Sequence, residues 1–143
     1  MHAHSEKTQI RGKNILVLFD FDGTLCRIDS FSRFFKNMLT PPYFYWRCLP
    51  LLNKITGYYL SQYPAHLLRP KISRALLHGQ SKQQIIEKLP DFTQHILGHL
   101  NPELYIKLLW HQAQEHQVYI VSAGLDLYLK PIAEQLNVGL ICT

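Results

Sequence analysis

Five consecutive apolar residues, Ile15 to Phe19, run into two carboxylates one residue apart in NILVLFDFDGT. A short unbroken apolar run with β-branched and aromatic members predicts a strand covered on both faces, as central parallel strands are. Two further runs have the same character. VYIV, Val118 to Val121, leads into Ser122-Ala123-Gly124, and VGLIC, Val138 to Cys142, comes next to the final residue. Between them, LDLYLKPIAEQLN places Leu127, Leu129, Ile132, Ala133 and Leu136 on one helical face, with Pro131 expected to kink or restart the helix. Strand, helix and strand within about 25 residues make a βαβ unit, which implies a parallel sheet.

Residues 28–116 carry a different pattern. Ser81 with Gln84 three residues on suggests a capping box, and Gly79 suits the end of the helix before it. Asn101-Pro102 predicts an N-cap and a first helical position, opening a helix over residues 102–115 with Leu104, Leu108, Leu109 and Ala113 inward. Pro41, Pro42, Pro50, Pro64 and Pro70 crowd one stretch, so helices there must be short or kinked. The aromatic segment PPYFYWRCLPLLNKITGYYL is interrupted by Arg47, Asn53 and Lys54, too often for a membrane span of about 20 mainly apolar residues. Core packing within the insertion is its expected use. Contact with a membrane surface, where tyrosine, tryptophan and basic side chains are at home, is the alternative.

The expected architecture is therefore α/β: a truncated Rossmann-like parallel sheet of about three strands, with a helical cap inserted after the first strand. Residues 1–13 are expected to form a flexible tail, 14–27 and 117–143 an incomplete α/β core, and 28–116 the cap. A chain of 143 residues suits this plan, being long enough to bury roughly two-thirds of its unfolded surface. With 47% hydrophobic and 17% charged residues it reads as folded rather than disordered. Cys26, Cys48 and Cys142 make neither a disulfide framework nor a zinc pattern, which fits a reducing cytoplasm. The first 14 residues hold no apolar stretch of the secretory kind, and His2 and His4 are read as solvated.

Charge is distributed unevenly. Between Ser30 and Lys82 there is no acidic residue but eight basic ones, whereas the remaining seven basic and ten acidic residues sum to −3. Such a segment favours an anionic partner: a phosphorylated substrate, acidic lipid headgroups or nucleic acid. A plain solvated face is the other reading. Nucleic acid is not favoured, because the basic residues are scattered and no base-stacking module accompanies them.

Alternation along a strand points Asp20 and Asp22 the same way and Phe21 the other. In open α/β sheets ligands bind beyond the carboxyl ends of the strands, where Asp20 emerges. Gly23 permits the turn that follows, and Thr24 adds a hydroxyl. Two carboxylates so close repel unless a cation neutralises them or one keeps a proton. Mg²⁺ prefers oxygen ligands, typically one or two carboxylates with phosphate and water. A carboxylate can also attack phosphorus while its neighbour protonates the leaving oxygen. A calcium loop is excluded, since its sixth position would be Leu25 instead of glycine and its twelfth Phe31 instead of glutamate. Structural surface carboxylates remain the plain alternative.

DFDGT after an apolar strand resembles the first motif of the haloacid dehalogenase superfamily, and VYIVSAG resembles its second. The wider pattern, DGTLxxxDSF and VSAxLDxYLxPxAxxL, is similar to the phosphoserine-phosphatase-like branch, with a helical cap between the motifs; the resemblance spans residues 14–143. It implies an Mg²⁺-dependent phosphomonoester hydrolase working through an aspartyl-phosphate. Asp20 would be the nucleophile and Asp22 the general acid and base, and the two would hold the metal, Asp22 through its carbonyl. Ser122 would hold the phosphoryl group with the N–H groups of Ala123 and Gly23, beside Thr24. Asp29 stands where phosphoserine phosphatases carry a cap acid that reads the substrate amine, yet Asp29-Ser30 equally suits the cap of a helix opening at FSRFF. The basic aromatic insertion is similar to that of phosphatidylglycerophosphate phosphatases, so the substrate is either a phosphorylated small molecule or a lipid headgroup.

The resemblance also calls for a lysine and for one or two further acids, expected beyond Thr143; Lys130 is badly placed to substitute. The first strand is then expected at a sheet edge, open to a second chain that completes the sheet. Little or no phosphatase activity is expected of this chain alone. The alternative is a noncatalytic remnant or interaction module pairing with another chain. His95 with His99, and His111 with His116, are read as surface histidines.

Overall fold

The structure is a computed structural model and describes residues 15–142; the expected tail lies outside them. Three strands, β1 (Leu16–Asp20), β2 (Gln117–Ser122) and β3 (Gly139–Cys142), form a parallel sheet in the order β1-β2-β3. The register pairs Leu16 with Gln117 through Asp20 with Val121, and Tyr119 with Gly139 through Ser122 with Cys142. The carboxyl ends of β1 and β2 therefore stand side by side. Between β1 and β2 run α1 (Ser30–Met38), α2 (Pro41–Cys48), a 3₁₀ turn (Leu49–Leu51), α3 (Leu52–Tyr59), α4 (Ala65–Leu77), α5 (Lys82–Leu97) and α6 (Pro102–Ala113). The helix α7 (Asp126–Leu136) joins β2 to β3.

One face of the sheet is buried. Phe19, Val118 and Ile120 pack with Leu108 of α6 and with Leu129, Ile132 and Ala133 of α7 in a single apolar cluster. Leu16, Leu18 and Ile141 alternate with these residues and are exposed. The expectation of a first strand covered on both faces thus holds for one face among the described residues. Both crossovers advance in the same direction across the sheet, and crossovers of one hand then lay their helices on one side. Among the described residues β1 and β3 are the two edge strands of the sheet.

The cap is tied to the sheet layer at two levels. Where the chain leaves and returns, Arg27 N–H donates to the His99 carbonyl at 3.0 Å and Asn101 N–H to the Leu25 carbonyl at 2.8 Å. Above this stitch, Phe34 of α1, Phe92 of α5 and Tyr128 of α7 pack ring on ring, with centroids 5.0–5.6 Å apart. Apolar spacing explains α1, whose Phe31, Phe34, Phe35 and Met38 fall on one buried face. α6 packs on β2, with the His111 ring edge-on to Phe19, so this helix lies with the sheet.

Several local expectations give way to tertiary context. Ser81 makes no capping bond with its side chain. Leu125 is the N-cap of α7, and that helix passes through Pro131 without restarting. Leu109 and Ala113 are exposed while Leu108 is fully buried, because α6 has a partner on one side only. The aromatic segment expected to pack as cap core instead leaves Tyr45, Trp46 and Tyr59 in solvent. His111 and His116 are half-buried, with their Nδ1 atoms 2.9 Å apart, rather than free on the surface.

Asn101, by contrast, accepts from Glu103 N–H at 3.1 Å and caps α6 as expected. Replacing it should therefore cost what a working cap costs. Asn101→Ala is expected to lose about 1 kcal/mol and Ser81→Ala less than about 0.5 kcal/mol in urea unfolding. Equal losses would contradict the assignment of caps.

Candidate active site

β1 carries Asp20 to the carboxyl edge of the sheet and leaves its side chain exposed. The chain then folds back on itself. Leu25 N–H donates to the Asp20 carbonyl at 3.1 Å, and Cys26 and Thr24 N–H both donate to the Phe21 carbonyl, at 2.8 and 3.3 Å. Gly23 sits at φ +74, a conformation that side-chain-bearing residues resist. Phe21, Leu25 and Cys26 are fully buried and anchor the loop from below. Its polar side carries the Thr24 hydroxyl, which donates to Asp20 Oδ2 at 2.6 Å.

Asp22 behaves differently from Asp20. Its Oδ1 accepts from the N–H of Ser30, the first residue of α1, at 2.8 Å. The free N–H groups and partial positive charge of a helix N-terminus suit a carboxylate there. Its Oδ2 is buried without a hydrogen-bond partner among the described residues. Burial raises the Asp22 pKa above its ordinary 3.8, as does the nearby charge of Asp29, while the Ser30 contacts and the Arg69 charge pull the other way. Asp29 occupies the N-cap position of α1, yet its side chain bonds no helix N–H; it takes the Ser32 hydroxyl instead. The capping acceptor expected of Asp29 is supplied by Asp22.

The second motif reaches the first through packing. Ser122 ends β2 one residue past Val121, the register partner of Asp20, and its Oγ accepts from Gly124 N–H at 3.0 Å. Gly124 has no room for a side chain, since a Cβ there would lie 2.3 Å from the Tyr128 hydroxyl. Tyr128 is fully buried, and its hydroxyl accepts from Ser30 Oγ at 3.1 Å. Burial drives the Tyr128 pKa far above the ordinary range, so the phenol stays neutral. Contacts thus run from Ser122 through Gly124, Tyr128 and Ser30 to Asp22. Ala123 is exposed beside them. Gly124 and Tyr128 were given no role from the sequence and Ser30 only a place in the expected helix cap, although all three lie inside the DSF and VSAxLDxYL patterns.

Among the described residues no three histidine, cysteine, aspartate or glutamate side chains are placed to hold a metal ion together. The Asp20 carboxylate, exposed and with one oxygen outside the Thr24 bond, and the Asp22 carbonyl fit Mg²⁺ as two of its oxygen donors, the others falling to water and phosphate. His95 and His99 stack with ring centroids 4.6 Å apart, and His99 Nδ1 faces the His95 carbonyl.

A cavity of about 330 Å³ lies inside the cap. Phe31, Phe35, Phe44, Tyr45 and Leu68 give it a largely apolar wall, with Asp29, Ser32, Lys36 and Arg69 as its polar members. Asp20, Asp22 and Ser122 do not line it. It meets their neighbourhood through Asp29 and Arg69, both of which act electrostatically on Asp22. The Arg69 guanidinium is held 5.1 Å above the Phe31 ring.

The fold has counterparts among known structures. One is a protein of unknown function from Bordetella pertussis Tohama I, with a TM-score of 0.70 and 20% identity over 91% of this chain and 60% of that one. Another is a phosphoserine phosphohydrolase-like protein from Francisella tularensis subsp. tularensis SCHU S4, with a TM-score of 0.61 and 16% identity over 90% of this chain and 57% of that one. This chain therefore spans well under two-thirds of either structure. No curated protein matches it. The sequence model of haloacid dehalogenase-like hydrolases matches residues 17–143, which takes in all but the first residue of β1, the cap and β2 to β3. The chain belongs to the haloacid dehalogenase-like hydrolase family.

Proposed function

We propose that the chain is the cap-bearing part of a phosphomonoester hydrolase, with Asp20 as nucleophile and Asp22 as general acid and base. The unequal oxygens of Asp22 carry this reading. Oδ1 is fixed by Ser30 N–H, whereas Oδ2 is buried without a hydrogen-bond partner among the described residues. A carboxyl held so, with its pKa raised by burial, is suited to carry a proton to a leaving group, whereas the Asp20 side chain stands in solvent, open to a substrate. The two acids have opposite environments, as the two roles need.

In the proposed reaction an Asp20 oxygen forms a bond to phosphorus and the ester P–O bond breaks. The departing oxygen takes the Asp22 proton. Water, giving a proton back to Asp22, then attacks the aspartyl-phosphate, releasing phosphate and restoring the Asp20 carboxylate. Ser122 Oγ, the N–H groups of Ala123 and Gly23 and the Thr24 hydroxyl are the proposed phosphate contacts, all at the strand ends. Bound Mg²⁺, held by Asp20 and the Asp22 carbonyl, would reduce the repulsion between carboxylate and phosphate. The lysine and further acids that the resemblance calls for would come from beyond these residues or from a second chain along β1. Without them turnover is expected to be weak.

The apolar cap cavity favours a phosphate ester whose alcohol carries an apolar part, hence a lipid headgroup phosphate over a small polar metabolite. Asp29, on the polar side of that cavity, is the proposed contact for the substrate's non-phosphate part. A noncatalytic pairing module is the second reading, supported by an edge of β1 that no described strand pairs with and by the exposed Leu16 and Leu18.

Hydrolysis of an aryl phosphate with Mg²⁺ separates the two. Turnover is expected to fall to background in Asp20→Asn and by about 10²–10⁴-fold in Asp22→Asn. No turnover above blank at high enzyme concentration counts against catalysis by this chain.

Stability against pH tests the Asp22 environment separately. Because the folded state holds the Asp22 proton more tightly than the unfolded chain does, its contribution is present below the ordinary value of 3.8 and is lost as pH rises through the folded value. Asp22→Asn keeps an acceptor for Ser30 and removes the charge. Its melting temperature should gain on the parent as pH rises from about 4 and the gain should then level off. A difference independent of pH would show that burying this carboxylate costs nothing.

A further inference from the structure

The outward side of α2, the 3₁₀ turn and α3 is apolar and aromatic. Trp46 is 74% exposed, Tyr59 79%, Leu60 67% and Tyr45 65%, with Leu49 and Leu52 about half exposed. The inward side of the same helices, including Phe44, Cys48 and Ile55, already lines the cap cavity. Phe44, Cys48 and Ile55 thus face the cavity, Trp46, Leu49, Leu52 and Leu60 are exposed away from it, and Tyr45 and Tyr59 belong to both surfaces. Soluble monomers rarely leave such a patch without a partner.

Charge identifies the partner. From Phe31 to Lys82 the chain has no acidic residue. Arg47 is engaged with the Tyr43 hydroxyl and the His78 carbonyl, but Arg33, Lys36, Lys71, Arg74 and Lys82 are exposed. A second copy docking on the same patch would bring two such segments together against their repulsion. An anionic surface would be attracted. Tryptophan and tyrosine rings are suited to the headgroup level of a bilayer, and exposed lysine and arginine to anionic headgroups. No helix among the described residues is long and apolar enough to cross a membrane, so the contact is with its surface. Tyr45 and Tyr59 also line the cap cavity, whose polar members include Asp29 and Arg69.

We infer that this side of the cap docks on an anionic lipid bilayer, with Trp46 and Tyr59 seated among the headgroups. The inference does not depend on the catalytic reading, since it concerns binding alone.

The test is flotation of the full chain with vesicles of phosphatidylcholine containing about 30 mol% phosphatidylglycerol, beside vesicles of phosphatidylcholine alone. Binding is expected to the first, at least about tenfold weaker to the second, and to fall several-fold when salt rises from about 0.1 to 0.5 M. Trp46 and Trp110 are the two tryptophans, so in Trp110→Phe only Trp46 reports, and its emission should move to the blue on binding. Trp46→Ser with Tyr59→Ser should weaken binding by at least about tenfold while leaving the melting temperature unchanged, because both side chains are exposed. Failure of the folded parent to float with anionic vesicles overturns the inference. So does flotation that the double substitution leaves intact, or a patch-dependent dimer that ignores lipid. Aryl phosphate turnover that persists in any of these cases leaves the catalytic proposal standing.

Discussion

Asp22 leaves the sheet on the loop after β1, yet its Oδ1 is committed to the first turn of α1, the opening helix of the cap. This bond fixes where the cap begins relative to the strand ends. α1 in turn presents Phe34 to Phe92 and Tyr128, and the Tyr128 hydroxyl fills the space that Gly124 leaves open beside Ser122. Both motifs and the cap are thereby located by one carboxylate and one buried phenol. Two opposing effects act on that carboxylate. The helix N-terminus favours its charge, whereas burial disfavours it, and burial is the larger cause. The residue that positions the cap is therefore also the one most ready to hold a proton.

Sequence and structure agree where a pattern is repeated and local. Three apolar runs and one amphipathic segment were enough to foresee a parallel sheet, because period and length constrain strands and helices directly. The place of Asp20 at a strand end was legible for the same reason, whereas Asp22 lies in the fold-back turn beyond the strand and is bonded to α1. Caps were less legible. Ser81 has the right spacing for a capping box but makes no bond, while α1 is served by Asp22, eight residues before its partner and on another element. Nothing in a local window reveals an acceptor delivered by a fold-back turn. Ser30 and Tyr128 were equally hidden, since 98 residues separate the two hydroxyls.

Burial was the other quantity that pattern could not supply. The spacing of α6 marks Leu104, Leu108, Leu109 and Ala113 as able to face inward, but the sheet offers one covered face and Leu109 stays in solvent. The aromatic segment of the cap has the composition of a core, yet none of its helical residues is fully buried, and only Tyr43, Phe44 and Cys48 pack partly buried against the core. Composition measures how much apolar surface a segment owns; the available partners decide how much of it is covered.

The uncovered sheet and the uncovered cap patch differ in what they can accept. Among the described residues no strand pairs with the outer edge of β1, beside Leu16 and Leu18, so a partner there must answer its backbone N–H and C=O groups with hydrogen bonds in strand register. That demand is directional and selects a folded or folding polypeptide. α2 and α3 satisfy most of their backbone groups internally and present only side chains. Such a surface makes no demand of register. A fluid layer that offers apolar depth and negative charge in every orientation meets its needs as well as a shaped protein would, and the run of basic residues without an acid tips the choice toward that layer.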